Sequence, residues 1–111
     1  MRLECTGDAL FLALVSMIQV TRPTLLKPAD GGFDVDVSPL LHQKDLNEDE
    51  RLVLRIYGVL SASTDKPKLA IDLTPAEATR LDRALALVQS ARSWPPDALA
   101  LTSTLRERLQ H

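Results

Sequence analysis

Asp45-Leu46-Asn47-Glu48-Asp49 places oxygen-bearing side chains at alternate positions, as the opening half of a calcium-binding loop does. Such a loop next needs glycine for a sharp turn and a bidentate glutamate at its twelfth position. This chain has Glu50 and Ile56 there, so the stretch is expected to be a solvated acidic turn. His42 precedes it, and with Asp45 and Asp49 it makes the one grouping around which a small enzyme or metal protein could be built. The other histidine, His111, stands at the last position. The single cysteine, Cys5, can form neither an intrachain disulfide nor a multi-thiolate zinc site, and is expected to be a small core residue. No Gly-x-Ser-x-Gly elbow occurs, and Gly7, Gly31, Gly32 and Gly58 fit no phosphate-cradling pattern. These patterns point to no catalytic residue, cofactor or metal site.

Two other groups of residues suit binding rather than chemistry. Arg51, Arg55 and Tyr57 fall on alternate positions of one segment, and a tyrosine between arginines is a composition favoured at interface hot spots. Lys66 and Lys68 lie just ahead of an apolar run, where they could contact phosphates.

The bulk composition limits the partners. The chain has 111 residues, 45% hydrophobic and 25% charged, which fits one globular domain over residues 1–111 and argues against disorder. At 4% aromatic content, its core must be aliphatic. A net charge of −2 supplies no general cationic surface for nucleic acid or for an anionic membrane. The apolar run Ala9–Val15 is too short to span a bilayer, which takes about 20 residues, and Glu4 and Asp8 stand where a signal peptide would be positive. A cytoplasmic protein is expected.

The elements follow from local patterns. Arg2 to Cys5 reads as a short strand. Thr6 or Asp8 caps a helix over about 9–19, apolar on nearly its whole circumference and therefore central or facing a second subunit. Residues 21–32, with Pro23, Pro28 and Asp30-Gly31-Gly32, read as a loop. Phe33 to Val37 alternates as a half-buried strand, and Leu40 and Leu41 plug the core from a connecting turn. Residues 51–60 fit two periods. As a strand, Leu52, Leu54, Ile56 and Leu60 share a face, with Gly58 in the gap. As a helix, Asn47 would cap it, the acids at 48 to 50 would suit its positive end, and Leu52, Val53, Ile56 and Leu60 would pack. The strand is favoured by the branched and aromatic content and by the alternation of 68–73, giving a hairpin over about 51–73. Thr74-Pro75-Ala76-Glu77 then starts a helix over about 75–92 with the stripe Ala78, Leu81, Leu85 and Val88. Trp94-Pro95-Pro96 breaks it, and a last helix runs over about 96–109 with Ala98, Leu101, Leu105 and Leu109 inward. The expected fold is α+β: a small antiparallel sheet of three to four strands with about three helices.

The strand at 68–73 followed by helices at 75–92 and 96–109 resembles a ribbon-helix-helix unit of small bacterial repressors and antitoxins. The resemblance implies a homodimer in which the strand pairs with its twin and reads DNA, with Lys66 and Lys68 at the phosphates. Here the groove-facing residues would be Lys68, Ala70 and Asp72, and the aspartate would be repelled by DNA. The leading expectation is a non-catalytic protein–protein interaction module that self-associates as a dimer through Arg51, Arg55 and Tyr57, with a further, unidentified protein partner. The DNA-binding regulator on residues 68–109 is the alternative, and the small enzyme or metal protein around His42 the third.

Overall fold

The computed structural model describes residues 1–29, 32–63, 65–91 and 94–110. Asp30 and Gly31 of the expected turn, Thr64 of the expected hairpin connection, Arg92 and His111 lie outside the described residues.

β1 (Arg2–Cys5) leads into α1 (Gly7–Thr21). Thr6 is the cap: its hydroxyl accepts the Ala9 N–H at 3.2 Å. Every residue from Ala9 to Ile18 except Phe11 is buried, and Ser16 satisfies its hydroxyl by donating to the Leu12 carbonyl at 2.8 Å. The helix is therefore the central one. Apart from Phe11 and Val20, its apolar circumference is covered by other elements of the same chain, so burial of the helix as a whole calls for no second subunit.

A short 3-10 turn (Pro23–Leu25) follows, then β2 (Leu26–Ala29) and β3 (Gly32–Val35), which pair antiparallel with Leu26 opposite Val35. β2 lies inside the segment expected to be loop. Its Pro28 lacks an N–H, which a ribbon of two edge strands tolerates. β3 stops short of the expected end because Asp36 turns back, its carboxylate accepting the Ser38 N–H at 3.0 Å. α2 (Ser38–Leu41) buries Leu40 but leaves Leu41 65% exposed, so only one of the two leucines plugs the core.

The largest correction concerns residues 51–60, which form the body of a helix, α3 (Glu48–Ala62). Asn47 accepts the Glu50 N–H at 2.8 Å, and Glu50 reaches back to accept the Asn47 N–H at 3.0 Å. With Glu48, Asp49 and Glu50 in its first turn, the helix start is satisfied twice over. The burial pattern shows why helix wins. Leu52, Val53 and Ile56 are all 0% exposed, whereas Leu54 is only partly buried. A strand would have turned Val53 away from Leu52 and Ile56; a helix places all three on one face.

The hairpin over 51–73 therefore does not form. β4 (Leu69–Asp72) pairs antiparallel with β1 instead, Arg2 opposite Asp72 and Cys5 opposite Leu69. Met1 and Leu73 extend the ladder by exchanging both backbone bonds, at 2.7 and 2.8 Å. α4 (Pro75–Ala91) opens as expected: Thr74 accepts the Glu77 N–H at 3.2 Å and donates its own N–H to Glu77 at 2.9 Å. Ala78, Leu81, Leu85 and Val88 are buried along it. α5 (Pro96–Leu109) buries Leu105, Leu109 and Thr102, with Leu101 packed at the margin.

The architecture is α+β, with five α-helices and two separate two-stranded antiparallel ribbons among the described residues, rather than three helices on one sheet. α1 packs against α3, α4 and α5. α3 lies beside β4 and α5 beside β1. Leu3, Cys5, Leu69 and Ile71 join the ribbon to the same apolar cluster that α1 centres.

Candidate functional site

A groove of about 420 Å³ opens between the first turns of α1 and the end of α3. Its apolar walls include Phe11, Leu14, Val35, Tyr57 and Leu60, and Asp34 and Lys66 line it as well. Phe11 is 40% and Tyr57 36% exposed. Two of the four aromatic residues thus stand open to solvent in one groove. The sequence pattern had no means of singling out Phe11. In a helix apolar on every side, only tertiary packing decides which residue is left uncovered.

The three residues expected to form one surface do not. On a strand, 51, 55 and 57 share a face. On a helix, 51 and 55 lie about 40° apart and 57 about 120° away from 51. Tyr57 faces the groove. Arg51 is exposed. Arg55 is committed within the chain, donating to the Glu77 carboxylate and to the Asp72 carbonyl. The hydrogen bond from Arg55, helped by the Thr74 N–H, holds the Glu77 carboxyl below the usual glutamate range against its partial burial. Arg55 thus ties α3 to the start of α4 and bonds one carbonyl on the edge of β4. Arg108 does the same for β1, donating to the Glu4 carbonyl.

Lys66 and Lys68 are both exposed but line different grooves. Lys66 borders the Phe11–Tyr57 groove. Lys68 borders a second groove along β1, with Glu107 and Arg108 of α5.

The acidic stretch works as helix-start architecture. Asn47 is the cap, Glu48 and Asp49 take the guanidinium of Arg80 at 2.5 and 2.8 Å, and Glu50 is turned inward. Those two carboxylates raise the Arg80 pKa further, the Asp49 hydrogen bond most. Glu50, expected in a polar turn, is only 7% exposed. Besides the Asn47 N–H it accepts from Gln43 at 3.2 Å and has Arg22 at 3.7 Å. Arg22 also donates to Gln43 at 2.9 Å, so the end of α1, the loop after α2 and the start of α3 are locked together.

His42 is exposed and ends α2. Among the described residues, no group of three or more His, Cys, Asp or Glu is placed to hold a metal ion. Cys5 is buried as expected. Burial pushes its thiol pKa up, with Arg108 opposing in part. No helix among the described residues is long and apolar enough to cross a membrane. Comparison with protein-family models, with curated proteins and with solved structures gives no match.

Proposed function

We propose that this chain is a non-catalytic interaction module that self-associates as a dimer and uses the α1–α3 groove to take an apolar side of a further protein partner. The observation that carries the reading is the pairing of exposed Phe11 and Tyr57 in one groove. Aromatic side chains are the residues that gain most from being covered by a partner, and they cluster at binding hot spots. Asp34 and Lys66 beside the apolar walls supply opposite charges that would orient what binds. Tyr57 remains part of the proposed surface, now with Phe11. Arg51 and Arg55 lie on another side of α3, and Arg55 is already bonded within the fold.

A cytoplasmic location belongs to the same reading, supported by a single, buried, unpaired cysteine. The alternative of a DNA-binding regulator built on 68–109 has less behind it. The outward residues of the β1–β4 ribbon are Arg2, Glu4, Ala70 and Asp72, flanked by Lys68, a face without net positive charge.

Molar mass by light scattering on a sizing column tests self-association. A mass near twice 12.2 kDa is expected, and a monomer at every concentration reached would remove that part of the reading.

A further inference from the structure

We propose that the free edge of β4 is where a second copy of this chain joins, strand to strand and antiparallel, about a two-fold axis through Ala70. This rests on the self-associating part of the reading above and names its interface.

The direction of the backbone groups comes from the ladder. Because Met1 and Leu73 exchange both bonds, the alternation of a strand aims the N–H and C=O of Leu73, Ile71 and Leu69 at β1. Those of Asp72 and Ala70 point the other way. The bond from Arg55 to the Asp72 carbonyl fits this direction. No side chain among the described residues reaches the N–H or C=O of Ala70, so this edge keeps a donor and an acceptor ready for another strand.

The charges select the occupant. Lys68 and Asp72 stand two residues on either side of Ala70, and both are exposed. With Ala70 opposite the partner's Ala70, Lys68 falls opposite the partner's Asp72, and the two-fold axis repeats the pair. A slip of two residues separates both pairs. Across the joined sheet the order becomes Arg2, Asp72, then the partner's Lys68, alternating in sign. The lysine stem is long enough to swing from the β1 side to this edge. The Asp72 carbonyl has a second lone pair, so Arg55 can stay bonded while the strands join.

The helix beneath supplies room. α3 presents Gly58 and Ala62, one turn apart, to a shallow groove of about 460 Å³ that runs along Ala70 to Asp72. A glycine inside a helix lowers its stability. A Cβ on Gly58 would meet nothing within 4 Å, so the packing of a single chain gives no reason for it. The two-fold axis stands perpendicular to the sheet and brings the two α3 helices together on one side, where small residues allow close approach. The product is a four-stranded sheet, in place of a two-stranded ribbon of the kind that is marginal alone.

Light scattering on the full chain, on Lys68→Asp and Asp72→Lys alone, on their equimolar mixture, and on Gly58→Leu tests this, with circular dichroism confirming the fold of each. The wild type is expected to be a dimer. Each single reversal turns two attractive cross-strand pairs repulsive and should raise the dimer Kd by about tenfold or more. The mixture should recover dimers, because the two variants oppose unlike charges again, and Gly58→Leu should dissociate them by filling the gap. A dimer indifferent to these changes, or a mixture no tighter than the single variants, overturns the β4 interface while leaving self-association standing. A monomeric wild type overturns both.

Discussion

Glu50 should be worth several times what its acidic neighbours are worth, although all three stand in one first turn. Glu50 is only 7% exposed and its carboxylate carries three tasks: it completes the cap of α3 through the Asn47 N–H, accepts from Gln43, and sits against Arg22. Replacing it by alanine removes half of a capping box, about 0.5–1 kcal/mol, and takes one acceptor from the Gln43 amide and the counter-charge from the Arg22 guanidinium, which keep the Asp45 carbonyl and Gln43, respectively, as partners. A buried hydrogen bond to a charged group contributes about 1.5–3 kcal/mol, but the Arg22 side chain is 40% exposed, so the lower end of that range applies. The sum is about 2–3 kcal/mol for Glu50→Ala. At about 4 °C per kcal/mol for a chain of this length, Tm should fall by about 8–12 °C. Glu50→Gln keeps an acceptor for the Asn47 and Gln43 donors and should cost about 1 kcal/mol. Glu48→Ala removes an exposed pair with Arg80 and one of the three charges at the start of α3, and should cost about 0.5–1 kcal/mol. Urea unfolding of the three variants, with slopes compared to confirm two-state behaviour, measures each difference. If Glu50→Ala were no more destabilising than Glu48→Ala, the inward lock between α1 and α3 would not exist as described.

Three further outcomes follow from the same structure. Glu77 has a depressed folded-state pKa, so its contribution is present above the ordinary value of 4.5 and is lost as pH falls through the folded value; Arg55→Ala should flatten the acid side of the Tm–pH curve below about 4.5, and an unchanged curve would count against the Arg55–Glu77 contact. Gly58→Ala should stabilise the isolated chain by about 0.5–1 kcal/mol in thermal unfolding, since the added methyl meets nothing within 4 Å. An anilinonaphthalene sulfonate dye should fluoresce in the native protein by entering the groove beside Lys66, and Phe11→Ser or Tyr57→Ala should abolish that signal while leaving the cooperative unfolding transition in place.

How far the sequence could be read depended on how local each signal was. α4 was legible because Thr74, Pro75 and Glu77 encode its start within four residues, and its stripe repeats at helical spacing. α5 was legible for the same kind of reason. Residues 51–60 were not, because Leu52, Leu54 and Ile56 satisfy a strand while Leu52, Val53 and Ile56 satisfy a helix. The Asn47 cap was the better guide than branched content, since it satisfies the first amides of a helix and means nothing to a strand. β2 was hidden by Pro28, and the pairing of β1 with β4 by the length of chain between them. The groove was half legible. Tyr57 stood out by type, although for a strand face that does not exist, and Phe11 was indistinguishable from its buried neighbours.

A helix over residues 51–60 also changes what the arginines are for. On a strand, Arg51 and Arg55 would have been free surface beside Tyr57. On α3, Arg55 reaches a carbonyl on the outer edge of β4, as Arg108 of α5 reaches one on the outer edge of β1. A two-stranded ribbon has two open edges and nothing within itself to close them. Both flanking helices lend a cation to one carbonyl apiece, which blunts each edge at one point. On β4 that point is Asp72, and the neighbouring outward residue, Ala70, is left bare between opposite charges. An edge meant only to repel other strands would carry like charges along its length. This one carries a lysine and an aspartate placed symmetrically about a small residue, the arrangement that discourages most strands and suits its own copy.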